Sequence, residues 1–114
     1  MGAVHRDLTI EQGVTWAVAW TVHLDGADLD PADGWQARSQ VREAAPSILP
    51  PGILHEFSAS VTGSVVQLSV TAEESSRWVW RRGVYDVEIF TPSRVIRIVR
   101  GSVQVSSEVT RGTA

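Results

Sequence analysis

Between Val14 and His23 the chain reads Val-Thr-Trp-Ala-Val-Ala-Trp-Thr-Val-His. Successive side chains of an extended strand point to opposite faces, so Val14, Trp16, Val18, Trp20 and Val22 share one face. Thr15, Ala17, Ala19, Thr21 and His23 occupy the other. This alternation predicts a half-buried β-strand. The wider composition agrees with it: 17 valines, six isoleucines and eight threonines make 31 of 114 residues β-branched. Such side chains are stiff at χ1 and pack better on a pleated sheet than on a helix.

Similar signals recur along the chain. Residues Asp7 to Ile10 form a short first strand closed by a turn at Gln12-Gly13. Trp35 to Arg42 alternates, with Trp35, Ala37, Ser39 and Val41 inward. The three prolines of Ala45 to Gly52 place that stretch in a crossing loop or at an edge, since proline cannot donate to a central ladder. Ile53 to Phe57 reads as a strand, Ser58 to Ser64 as a turn through Gly63, and Val65 to Val70 as a strand with Val66, Leu68 and Val70 on one face. Thr71-Ala72-Glu73-Glu74 is a capping box opening a short helix that ends near Trp78 or Trp80. Val84 to Phe90 and Arg94 to Arg100 pair as a hairpin, with Tyr85, Val87 and Ile89 facing inward and a bulge expected at Gly101. Val103, Val105 and Val109 continue to a frayed tail at residues 111–114.

Seven or eight strands and one short helix near residues 71–80 predict an all-β chain, an immunoglobulin-like antiparallel β-sandwich. Its length fits one domain spanning residues 1–114. No apolar run approaches the ~20 residues of a membrane helix, and the opening residues lack a signal-peptide layout.

The chemistry-bearing residues are sparse. There is no cysteine, hence no disulfide, thiolate zinc site or thiol nucleophile. His5, His23 and His55 lack paired ligand spacing and read as solvated or hydrogen-bonded surface residues. Asp25, Asp28, Asp30 and Asp33 resemble a calcium loop faintly, but aspartate is also an ordinary turn residue. Asp86 and Glu88 face outward, with Arg94 and Arg97 as cross-strand partners. No Gly-x-Ser-x-Gly elbow or phosphate loop is present. A formal charge of −3 argues against nucleic acid. The expectation is a chain with no catalytic, cofactor or metal site.

Five tryptophans need separate accounts. Trp16, Trp20 and Trp35 fall on inward faces as core anchors. Trp78 and Trp80 stand beside Arg77, Arg81 and Arg82, residue types that dominate protein-interface energetics, so these five are the candidate contact residues. Residues i and i+2 on a helix face different ways, which makes one tryptophan core and the other, Trp80, exposed. A sugar-stacking platform of Trp78 and Trp80 with Asp86, as in a carbohydrate-binding module, is the alternative of another class.

Three stretches taken in order resemble a known group. They are Asp7 to Trp16, with its Gln-Gly turn; Asp30 to Arg42, an acidic turn, glycine, aromatic, then Ala-Arg-Ser-Gln-Val-Arg; and Leu68 to Glu74 followed by Gly83 to Glu88 and Arg100 to Arg111. The order resembles immunoglobulin-like β-sandwich virion proteins of tailed bacteriophages, of the tail-tip collar and upper-baseplate N-terminal type. What the resemblance implies is a non-enzymatic structural subunit of the tail or baseplate, located in the virion and made in the bacterial cytoplasm. Its implied partners are other virion proteins and copies of itself in rings or a lattice, with no nucleic acid and no membrane. A capsid decoration or head-to-tail connector is the nearest alternative.

Overall fold

The computed structural model describes residues 3–44 and 52–107, and they are mostly β. The strands are β1 (Val4–His5), β2 (Leu8–Glu11), β3 (Trp16–Thr21), β4 (His23–Leu24), β5 (Ala27–Asp28), β6 (Gln36–Arg42), β7 (Ile53–Glu56), β8 (Ser58–Thr62), β9 (Val65–Val70), β10 (Arg82–Thr91) and β11 (Arg94–Ser106). A 3-10 turn covers Pro31–Asp33, and one α-helix, α1, covers Ala72–Ser76. The expected proline crossing at residues 45–51 and the frayed tail at 111–114 lie outside the described residues.

The larger sheet runs β1-β11-β10-β6-β7, with β2 also on β11, and the smaller runs β3-β9-β8. Their apolar faces share one core, in which Ile10, Val41, Val66, Leu68, Val70, Val87, Ile89, Val99 and Val103 are buried. Each of these residues falls on the inward parity of its strand, so the period of two is converted directly into burial. One run of chain serves both sheets. β7 pairs with β6, β8 pairs with β9, and between them the buried Phe57 donates its amide to the Ser39 carbonyl at 2.9 Å. A strand that changes sheets in this way forms a corner between layers.

Several expectations are corrected. The sequence Ser58 to Ser64, expected as a turn, is mostly strand β8, and only Gly63, at φ 58°, supplies the turn. The ladder is not wholly antiparallel: β1 and β2 both run parallel to β11. The expected bulge at Gly101 lies instead at Ile98, because Arg97 opposes Glu88 while Val99 opposes Val87. The extra residue puts both Ile98 and Val99 in the core. It also brings Arg97 and Arg100, three positions apart, onto one outward face.

Gly101 has a different task. A Cβ there would collide with the Arg6 carbonyl and approach Asp7 Oδ1 at 3.1 Å. The Arg6 amide donates to the Arg100 carbonyl at 2.8 Å, and the Ser102 amide donates to Asp7 Oδ1 at 3.0 Å. The N-terminal strands are therefore seated on β11 where a missing side chain lets backbone approach backbone.

Candidate functional site

The end of the molecule carrying the candidate contact residues is organised by the capping box. Thr71 Oγ1 accepts from the Glu74 amide at 3.1 Å, and Glu74 Oε1 accepts from the Thr71 amide at 2.9 Å. That amide, more than any other group, holds the Glu74 carboxyl below its usual range. α1 stops at Ser76, earlier than the sequence suggests, and the Gln12-Gly13 turn explains how. The fully buried Ser75 accepts from the Gly13 amide at 2.8 Å through its hydroxyl, and Gln12 Nε2 donates to the Trp78 carbonyl at 2.9 Å. A side chain from 66 residues away thus satisfies a carbonyl that continued helix would have used.

Because the helix ends early, Trp78 and Trp80 are not on helical positions. Their rings lie together, with centroids 4.6 Å apart and planes inclined by 36°. Trp78 is 8% exposed and belongs to the core, where His55 meets it edge-on at 4.8 Å. This burial takes Trp78 out of the set of surface contact residues. Trp80 is half-buried and is the more exposed of the two. Between them Val79 is 91% exposed, which the alternation around it did not announce. Arg77 is exposed and paired with Glu73 one helical turn back. Arg81 is exposed and donates to the Trp80 carbonyl at 3.2 Å, and Arg82 is exposed at the start of β10. The surface set is therefore Val79, Trp80, Arg77, Arg81 and Arg82: an exposed apolar residue with a half-buried indole and three exposed arginines within three positions of it in the sequence.

His55 departs from the expected surface histidine. Its ring packs against Phe57 and Trp78, and its Nε2 is buried with no hydrogen-bond partner. Desolvation lowers its pKa, against the attraction of the Glu74 and Glu56 carboxylates. Sequence offered no signal for this, since its neighbour Trp78 comes from another part of the chain. His5 and His23 are exposed and contact Asp7 at 2.9 Å and Asp28 at 3.0 Å.

The outward face of the larger sheet carries a charge ladder. Arg38 Nε meets Glu88 Oε1 at 2.9 Å, Arg97 reaches Glu88 at 3.2 Å, and Arg97 Nε meets Asp86 Oδ2 at 3.0 Å. Arg94, expected to share this ladder, instead lies over the Trp35 ring at 5.6 Å. A shallow groove of about 850 Å³ lies on this face, lined by His5, Arg42, Asp86, Arg97 and Arg100 among others. Its acids Asp86 and Glu88 are already engaged by arginine.

The acidic loop follows turn chemistry. Asp25, at φ 53°, and Gly26 turn the chain between β4 and β5, and Asp30 caps the 3-10 turn by accepting from the Ala32 amide at 2.9 Å. Among the described residues no three His, Asp or Glu side chains gather as metal ligands would. No described helix is long and apolar enough to cross a membrane. No protein-family model matches the chain, and no curated protein matches it.

Proposed function

We propose that this chain is a non-enzymatic structural subunit of a tailed-bacteriophage virion, an immunoglobulin-like sandwich in the tail or baseplate that acts through protein contacts. The carrying observation is the tip at Val79. A valine 91% exposed, backed by a half-buried tryptophan and flanked by Arg81 and Arg82, has the make-up of an interface centre: an apolar anchor, an aromatic and weakly hydrated cations. The motifs behind the resemblance also support it. The Gln12-Gly13 turn and the Thr71 capping box are bonded to one another's segments through Ser75 and Trp78, so they build the frame that presents this tip. A sugar platform fits less well, because stacking a pyranose on two rings needs both faces open and Trp78 is buried.

Mass spectrometry of purified particles from a phage carrying this gene tests the reading. The protein is expected at a fixed stoichiometry, and Val79→Asp combined with Arg81→Glu is expected to leave the subunit folded but missing from particles. Particles that lack the wild-type protein would end the proposal.

A further inference from the structure

A run of aromatic rings joins β7 to the Val79 tip. The His55 ring meets Phe57 at 5.4 Å and Trp78 at 4.8 Å, and Trp78 lies against Trp80 at 4.6 Å. Two polar atoms in this run, His55 Nε2 and Trp80 Nε1, are buried without a hydrogen-bond partner. Buried polar groups are ordinarily satisfied, and an unmet one favours any conformation that gives it water.

The segment carrying the tip is fastened at its ends. Residues 78–81 lie outside every helix and strand. The Trp78 amide donates to the Ser75 carbonyl at 3.1 Å, and the Arg81 carbonyl accepts from the Val105 amide at 2.8 Å. Gln12 Nε2 holds the Trp78 carbonyl, and Val79 points to solvent, so the packing of this segment is that of its two indoles. A short stretch of this kind opens at lower cost than the ladders beside it.

The groups around His55 decide what charge would do there. Glu56 on its own strand and Glu74 on α1 are the carboxylates that act on the ring. β6 opposes it with Val41, and β10 sets Tyr85 in the same row with its hydroxyl committed to the Arg6 carbonyl. At the tip, Arg77 is paired with Glu73 and Arg81 donates to the Trp80 carbonyl. An imidazolium carries two N–H donors, and the one at Nε2 has no acceptor among the rings that surround it.

We infer that His55 is an acid-sensitive latch for the Val79 tip. Neutral, it holds Trp78 and Trp80 against β7. Protonated, it leaves the rings for water and the Glu74 carboxylate, and residues 77–81 come free while both sheets stay folded. Glu74 also caps α1 by accepting from the Thr71 amide at 2.9 Å, so the helix leading into the tip is drawn into the same transition. As regulation of the contact surface this rests on the structural-subunit reading, but it is a property of the fold and is tested without a partner.

Amide hydrogen exchange of the full chain, followed by NMR from about pH 7.5 to about pH 5 and corrected for intrinsic rates, tests the inference. Protection of the Trp78 amide is expected to fall by up to about tenfold per pH unit below 6.5, because opening takes up one proton. The indole resonances of Trp78 and Trp80 are expected to move with it. The amide resonances of β10 are expected to stay dispersed and in place, with the buried Val87 far more protected than Trp78 throughout. His55→Phe retains His5 and His23 and is expected to abolish the pH dependence at the tip. Glu74→Gln keeps an acceptor for the Thr71 amide and removes the carboxylate, so the His55 ring is expected to titrate at a lower pH in this variant. Tip protection that is flat with pH, that falls equally in His55→Phe, or that matches Val87 at every pH would overturn the latch. None of these outcomes touches the particle-composition test of function.

Discussion

The Tyr85 hydroxyl donates to the Arg6 carbonyl at 2.6 Å, tying β10 to the chain between β1 and β2 across 79 positions of sequence. Burial pushes this phenol up to about 12 from its ordinary 10. The raised value means that the folded state prefers the neutral phenol. Its contribution is fully present below pH 10 and is lost as pH rises through about 12. The chain has one tyrosine, no lysine and no cysteine, so Tyr85 is the one side chain apart from arginine that titrates in this range. Tyr85→Phe is expected to cost about 1–2 kcal/mol at neutral pH, the worth of a part-buried hydrogen bond, and to flatten the loss of stability above pH 10. Denaturant midpoints measured from pH 8 to 12 (in ~1-unit steps) check both effects, since a variant with the wild-type alkaline slope would contradict the assignment.

Gly101 makes the same docking possible by omission. A methyl group at this position meets backbone, not a side chain that can swing aside, so the β1–β2 segment must move off β11 or the strand must distort. Gly101→Ala is expected to destabilise by about 2–3 kcal/mol, the upper part of the range for overpacking, and to lower the melting temperature by roughly 10 °C or more. Gly26→Ala serves as a contrast. Nothing lies within 4 Å of a Cβ there, so its cost is confined to a positive φ. A Gly101 variant that melts with the wild type would show that the N-terminal strands are not held at this point.

His55 sets an acid limit. Its pKa is lowered in the folded state, so the folded protein holds it neutral more strongly than the unfolded chain does. The stability it contributes is present above its ordinary value of 6.5 and declines as pH falls below that. Glu74 and Glu56 oppose the shift and temper it. His55→Phe retains an aromatic ring against Trp78 and Phe57 while removing the buried, unpartnered Nε2. The variant is expected to lose stability less steeply as pH falls from 6.5 to about 5 than the wild type, and to match or exceed it at about pH 5. Parallel urea titrations at the two ends of that interval provide the measurement.

What could be read from the residues, and what could not, divides along contact range. β3, β6, β9 and β10 declare themselves because alternation and burial are the same fact seen along one strand. The capping box at Thr71 and the acidic turn at Asp25-Gly26 are likewise local chemistry. The parallel seating of β1 and β2 is not local. It depends on Gly101 meeting Arg6 and on Tyr85 reaching Arg6, pairings that no window of sequence contains. The contact residues show the same division. Arg77, Arg81 and Arg82 are exposed, as charge alone would suggest, but the burial of Trp78 depends on His55 and on Gln12 stopping the helix. Val79 escaped notice because valines are common here and inward by habit; only the end of α1 at Ser76 leaves it on the outside.

The bulge at Ile98 had no signature either, since isoleucine is an ordinary strand residue, yet it fixes which residues β11 turns outward. Upstream of it Arg97 opposes Glu88, and downstream Arg100 opposes Asp86, with Val99, Val103 and Val105 buried. Deleting Ile98 therefore leaves both ladders in register and turns the bulge into regular strand. Deleting Arg100 instead moves everything after it by one residue and sends Val103 and Val105 to solvent against β2. The Ile98 deletion is expected to fold, at a cost of about 2–5 kcal/mol for the lost buried side chain. The Arg100 deletion, which removes only an exposed side chain, is expected not to fold. Circular dichroism and dispersed amide resonances distinguish the two, and the reverse order of severity would mean that the bulge does not set the parity of β11.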